Sequence, residues 1–410
     1  MEYKSWLTLI FIIALFTIIA VKTDAKTVNV PDDYPTIQKA IDNAKDGDTI
    51  LVSPGVYREN VVVNKRLNLV GGKPEKTIID GGKNEDVIKI TGSEITINGF
   101  TIRNSGKLKS TGYDSKLPSA GILIFGSSSI VVSNCKILNN EIGVWLISSS
   151  NTMIYNCHIY NNSKGAAMTT SPDNIISNCN ISSNKEGINI LDSSRNEILN
   201  CKISNNEFGI GYKNSSSDKI SGCNIYSNNI GVYLLYTSND TVSSCNVNSN
   251  KWYGIWLSSS SKTLIMDSSI YLNKGDGIEL DYSYNNTVSY CSIYSNLKNG
   301  IYSYFSFNNS IHHNNIYGNF EFGAYNYNNE TRYVINATNN WWGSSDGPSG
   351  VAPGSGDKVT ANVIFEPWLT RKVNSKEGNK IPEFGTVVFI AALLAASLFI
   401  FKRKNKVNGP

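Results

Sequence analysis

The 410-residue chain is poor in the groups from which many reaction centres and cation sites are built. It has three histidines, His158, His312 and His313, and four methionines. Met153, Met168 and Met266 are scattered, and two adjacent histidines on a strand project to opposite faces, which leaves little to hold copper. A surface role is the plainer reading of the histidines. Net charge is also missing from the body. The formal total of +4 is carried by Lys402, Arg403, Lys404 and Lys406, while Glu2, Lys4, Lys22 and Asp24 cancel. A neutral body gives no electrostatic case for nucleic acid as a partner.

Long apolar runs are confined to the two ends. Trp6 to Val21 follows Lys4 and leads into a small-residue stretch ending at Ala25, which predicts a secretory signal over residues 1–25, with an uncleaved anchor as the alternative. Phe384 to Phe401 holds eighteen residues without a charge and is followed at once by Lys402, Arg403 and Lys404. That length spans a bilayer, and the basic residues 402–410 mark its cytoplasmic end. The expected placement is therefore a membrane-anchored body on the cell surface.

What is present between the ends is a repeat. Units beginning at Asn134, Asn156, Asn178, Asn200, Gly222 and Ser244 are spaced by 22, and units beginning at Asp267, Tyr290 and His313 follow at 23. The extra residue falls between an Asn and a Gly found in all nine units, from Asn140 and Gly143 to Asn319 and Gly323. Asn tolerates a left-handed corner and can stack into amide ladders; Gly permits positive φ or close backbone approach.

Between these corners apolar residues alternate, as in Cys135-x-Ile137 and Val144-x-Leu146, which predicts short strands with one buried face. Three such strands per unit can bury that face only by stacking coil on coil at about 4.8 Å. No unit carries a helical stripe. The expected fold is all-β, a right-handed parallel β-helix over residues 64–335. Its N-terminal cap and first strands occupy 26–63, where Pro35 opens a short helix burying Ile37, Ala40, Ile41 and Ala44. A C-terminal cap with Trp341 and Trp342 occupies 336–369, and a linker with a sorting motif occupies 370–383.

Cys135, Cys157, Cys179, Cys201, Cys223, Cys245 and Cys291 share one register and alternate with aliphatics, so the column faces inward. Stacked Cβ atoms stay near the coil spacing, beyond the usual ~3.8 Å of a disulfide, which favours small buried thiols over a bridged ladder or a metal wire.

Two outward columns flank Ile278 and Leu280. One runs Leu123, Trp145, Ala167, Asn189, Gly211, Tyr233, Trp256, Glu279, Tyr302, Tyr325; the other includes Lys213, Asp281, Tyr304 and Tyr327. Glu279 and Asp281 are the candidate catalytic carboxylates, since residues i and i+2 lie about 6.6 Å apart at Cα. Trp145, Tyr233, Trp256, Tyr302, Tyr304, Tyr325 and Tyr327 form a candidate carbohydrate-binding strip, because such rings stack on sugars. A second column, Tyr160, Tyr226, Tyr271, Tyr294 and Tyr317, allows the plainer reading that aromatics simply suit strands. An insertion at 105–120 sits at an early corner leading into the strip, and eight N-x-S/T sequons, from Asn161 to Asn336, offer sites for glycans on an exported chain.

The run TIQKAIDNAKDGDTILVSPGVYRENVVV, the 22-residue units and the closing NNWWGSSDGP resemble the NosD-like and pectin-lyase-like β-helix proteins. That resemblance implies the fold; the superfamily includes lyases, hydrolases, esterases, epimerases, copper-site accessory proteins and non-enzymatic surface proteins. The QD signature of pectin methylesterases, the GHG motif of polygalacturonases and the DPHD motif of alginate epimerases are missing here, and no arginine stands at matched positions beside Glu279. The stretch KIPEFGT resembles PEF-type archaeal sorting tails, which implies a membrane sortase as a partner and removal of the apolar helix. The expectation is a surface β-helix binding polysaccharide or an envelope component, with no cofactor or metal. A polysaccharide lyase, hydrolase or epimerase and a purely structural envelope protein are the alternatives.

Overall fold

The computed structural model describes residues 25–106 and 118–374. The expected signal segment, most of the 105–120 insertion, the sorting motif, the apolar span and the basic tail lie outside the described residues. Among those described, no helix is long and apolar enough to cross a membrane.

One coil runs Ile130–Ser133, Lys136–Leu138 and Ile142–Ile147, three strands joined by sharp corners. Each pairs in parallel with its equivalent in the next coil, so that Ile137, Ile159, Ile181 and Ile203 fall on one row. Repetition builds a first sheet of 15 strands, a second of 12 and a third of 14 around one aliphatic core. A strand too short to be stable by itself acquires two ladders and one buried face by stacking, which is why the repeat and the fold are inseparable. Parallel crossovers of this kind wind right-handed.

The corner Asn and Gly act differently from one half of the expectation. The φ of Asn140 and its equivalents is not left-handed; the residue before each takes that conformation, as at Asn139 (φ 56), Ser183 (φ 56) and Leu272 (φ 53). The Asn side chains point inward. Asn162 Oδ1 accepts from Asn140 N at 2.9 Å and Nδ2 at 3.2 Å, and Asn162 Nδ2 donates to Ile137 O at 3.1 Å. A left-handed leucine costs roughly 1–2 kcal/mol, so the stack rather than the residue imposes the corner. The Gly serves close approach: a Cβ on Gly143 would lie 2.4 Å from Gly165 O, and one on Gly187 would lie 2.5 Å from Gly209 O.

The seven cysteines are buried free thiols. Each donates to the carbonyl two residues before it, for example Cys157 Sγ to Tyr155 O at 3.3 Å, and Cys157 N donates to Cys179 Sγ at 3.4 Å. Ser268 takes the register between Cys245 and Cys291 and accepts from Cys245 N. The column is therefore an interior hydrogen-bonded row like that of the asparagines.

A third interior row, Asn174 and Asn196, continues as Asp218 and Asp240. Asn196 N and Nδ2 donate to Asp218 Oδ1, and Asp218 N donates to Asp240 Oδ1. The second oxygens of both carboxylates and the hydroxyl of the fully buried Tyr212 have no partner. Burial, with Asp240 as a like-charged neighbour, pushes Asp218 up to about 7, and burial pushes Asp240 up to about 6.

Both ends are closed. The helix Ile37–Asn43 buries Ile37, Ala40 and Ile41, with Ala44 buried just beyond it. Pro35 stands outside the first turn, because Thr36 is the cap and accepts from Lys39 N; Glu59 accepts from Ile37 N and Gln38 N. At the far end Trp342 is fully buried and Asp357 receives the last rung of the Asn ladder from Asn319. The chain then stays on the body past Thr370, where a linker was expected to begin. Asn315 and Val373 exchange two hydrogen bonds, and Lys372 lies 4.3 Å from the Tyr317 ring centroid.

Candidate functional site

The third sheet changes character at Asn250, where the Asn-to-Gly corner gains a residue. From Ala120–Phe125 to Tyr253–Ser258 the strands of this sheet are six residues long; Ile278–Asp281 and Ile301–Tyr304 have four. The lengthened corners carry Asp276, Asn299 and Glu321 next to the shortened strands. A cleft of about 420 Å³ lies there, lined by Tyr253, Asp276, Glu279, Lys298, Asn299, Tyr302, Glu321, Tyr325 and Tyr327.

The two outward columns have the predicted register. Tyr233, Trp256, Glu279, Tyr302 and Tyr325 are successive partners, and Ser258, Asp281 and Tyr304 follow beside them. Ring centroids are 4.7 Å apart for Tyr233 and Trp256, 5.5 Å for Tyr302 and Tyr325 and 5.0 Å for Tyr304 and Tyr327. Glu279 thus fills the rung between two aromatic stacks.

Trp145 departs from the expectation of an exposed ring. It is 9% exposed and packs with Ala120, Ile142 and Ala167, with Nε1 donating to Thr169 Oγ1 at 3.3 Å. Ala167 on the next coil leaves room for the indole to lie against the sheet. Tyr327, at 54% exposure, is the most open ring of the strip.

Electrostatics concentrate on Glu279. Burial first, then the neighbouring Asp276 carboxylate, push it up to about 7, although the Tyr253 hydroxyl donates to it and Lys298 stands nearby. Burial also raises Asp276, which accepts from Asn299 N at 2.9 Å and Nδ2 at 2.7 Å. Asp281 is raised by burial alone. Burial and the Glu279 charge raise both phenols beside it, Tyr302 to about 12. Trp256 Nε1, Asp281 Oδ1 and Asn299 Oδ1 are buried without a partner. Such atoms cost about 1–3 kcal/mol each until something hydrogen-bonds them; of the three residues only Asn299 lines the cleft.

Tyr253, Asp276, Lys298, Asn299 and Glu321 were not among the residues singled out from the sequence. The missed signal is a third outward column, the residue just before each repeat Gly: Ile142, Lys164, Glu186, Phe208, Ile230 and Tyr253 are register partners, and Asp276 and Asn299 extend it.

The adjacent histidines also depart from the expectation of opposite faces. His313 is left-handed (φ 57) at the strand end, which brings its Nδ1 within 2.9 Å of His312 Nδ1. Burial and His313 lower the pKa of His312.

The geometry defines a coiled parallel β-solenoid with a polar aromatic cleft on one wall. A family model described as "Right handed beta helix region" matches residues 71–193, 153–267 and 241–340, and the chain belongs to that family. A cell surface glycoprotein of Methanothermus fervidus is 31% identical over 142 residues, covering 33% of this chain and 20% of that protein. The chain therefore matches about a fifth of that relative's length. Among solved structures, the A-module of the Azotobacter vinelandii mannuronan C-5 epimerase AlgE6 superimposes with a TM-score of 0.58 at 15% identity, over 74% of this chain and 94% of that one. The Streptococcus pneumoniae surface adhesin PfbA gives 0.57 at 16% identity, over 75% and 93%. The catalytic unit of a GH87 alpha-1,3-glucanase from Streptomyces thermodiastaticus gives 0.54 at 13% identity, over 85% and 70%. At these identities the likeness is one of fold.

Proposed function

We propose that this chain is a cell-surface β-helix protein whose third-sheet cleft binds polysaccharide or another envelope component without cleaving it. The observation that carries the reading is the cleft itself, where a half-buried carboxylate stands in one row between the tilted Tyr233–Trp256 pair and the stacked Tyr302–Tyr325 pair. Rings supply faces for sugar C–H groups, and the carboxylates and amides suit hydroxyls. The relative named as a cell surface glycoprotein supports surface placement, as does the apolar span 384–401 expected to anchor the chain or to be exchanged by a sortase. The surface sequons at Asn214, Asn239 and Asn308 suit a glycoprotein.

The test is a glycan array with the body, residues 26–374. Binding that is lost in Trp256→Ala and kept in Glu279→Gln supports the binding module. Silence on the array leaves the purely structural role.

A second reading, a polysaccharide lyase, hydrolase or epimerase, is favoured by one observation. Glu279, pushed up to about 7 beside Asp276 and Asp281, is a group able to give or take a proton near neutral pH. New reducing ends, unsaturated ends or epimerised residues appearing with wild type and absent with Glu279→Gln would establish it.

A further inference from the structure

The second sheet carries its own tyrosine ladder, and one rung is missing. Tyr271, Tyr294 and Tyr317 stack on successive coils at centroid spacings of 4.9 and 5.0 Å, nearly parallel at 2° and 5°. The same column continues backward from Tyr271 to Asn248 and then to Tyr226. Two coil steps of about 4.8 Å therefore separate Tyr226 from Tyr271, roughly 10 Å, with only an amide side chain between them.

A notch of about 300 Å³ lies at this interruption, lined by Tyr226, Asn248, Tyr271 and, one column over, Asn224 and Asn246. That volume is at the small end of the ~300–1,000 Å³ range of ligand pockets. Asn224 and Asn246 are both exposed, so their side-chain amides are open to a ligand in the notch. Asn248 accepts from Ser249 Oγ at 3.1 Å. No carboxylate lines the notch. Lys202, on the far side of Tyr226, lies 5.5 Å from its ring centroid and so belongs to that ring rather than to the opening.

We propose that the notch is a saccharide subsite that takes one uncharged pyranose ring in place of the missing rung. A sugar ring offers C–H groups to Tyr226 and Tyr271 and hydroxyls to the three amides. A flat aromatic ligand would use the rings and leave the amides unpaired, and an anionic sugar would meet no cation at the amide floor. The site is independent of the third-sheet cleft, whose lining is acidic and lies on another wall of the solenoid.

The decisive variant is Asn248→Tyr, which restores the rung with the residue that neighbouring coils already stack. It fills the slot without disturbing the fold, so a thermal melt matching wild type is expected. Isothermal titration of the full-length chain with neutral gluco-, manno- and galacto-oligosaccharides at millimolar concentration is expected to show binding of at least one. Asn248→Tyr weakens that binding about tenfold or more, the scale of losing two ring contacts. Tyr271→Ala weakens it in the same direction, and a uronate oligosaccharide binds this site more weakly than its neutral counterpart. No binding of any neutral oligosaccharide, or binding unchanged in Asn248→Tyr, overturns the proposal. Loss in Asn248→Tyr speaks for the notch and loss in Trp256→Ala for the cleft, so either can fail alone.

Discussion

The coils of 22 residues and those of 23 are built from the same rows, yet the carboxylate-lined cleft lies on the longer ones. Trp145 and Trp256 stand in one outward column, two indoles at equivalent positions. In the shorter coils Trp145 has Ala167 above it and Ile142 beside it and is buried. In the longer coils Trp256 lies between Tyr233 and Glu279, and the extra corner residue brings Asp276 and Asn299 into the wall. Column membership sets direction; the size and charge of the next residue along the row set exposure.

The sharpest way to break the shared scaffold is Gly187→Val. Its side chain would collide with Gly209 O, and the loss is expected to be about 3 kcal/mol or more by chemical denaturation. An unchanged midpoint would show that the coils can separate locally.

Next comes the contrast between the indoles. Trp145→Ala is expected to cost about 3 kcal/mol, and Trp256→Ala about 1 kcal/mol, because only the first leaves a buried cavity. Equal losses would erase the distinction between the two kinds of coil.

The interior carboxylates are the next test. Asp218 and Asp240 are raised in the folded chain to about 7 and about 6, above the ~3.9 of an unfolded aspartate, so folding takes up protons. Their contribution is fully present below about pH 4 and is lost as pH rises through 6 and 7. Asp218→Asn extends the Asn ladder and is expected to raise stability at pH 8 by about 2 kcal/mol, with little gain at pH 4. Denaturation curves at the two pH values check this, and an equal gain at both would refute a charge origin.

The smallest effect belongs to the cleft. Glu279 is raised in the same sense, so stability is again lost between about pH 4 and 7, here by about 1 kcal/mol after allowing for solvent screening. Glu279→Gln is expected to remove that slope and to lower the titration of Tyr302 from about 12. Ultraviolet titration of the phenols that left them unmoved would place the carboxylate elsewhere.

Much of the solenoid could be read from spacing. Cysteine and aliphatic rows recurring at 22 and 23 required inward stacking, and the Tyr233, Trp256, Glu279, Tyr302 row followed from period-two alternation. The corner was harder. Asn140 and Gly143 were visible as invariants of the repeat, but which residue took the left-handed turn depended on where the amide found its hydrogen bonds, and that place was the interior. Tyr253, Asp276 and Asn299 escaped notice because they lie in the irregular stretch where the extra residue interrupts alternation.

By itself the sequence determined the period, the short strands and the side of the wall each side chain faces, because a strand of three residues has no other way to bury its apolar half. Tertiary structure alone decided that Trp145 is covered, that His312 and His313 meet, and that burial raises the pKa of Glu279 and Asp218. These properties depend on neighbours a full coil away and on the low polarity of the surroundings, which no single unit of the repeat contains.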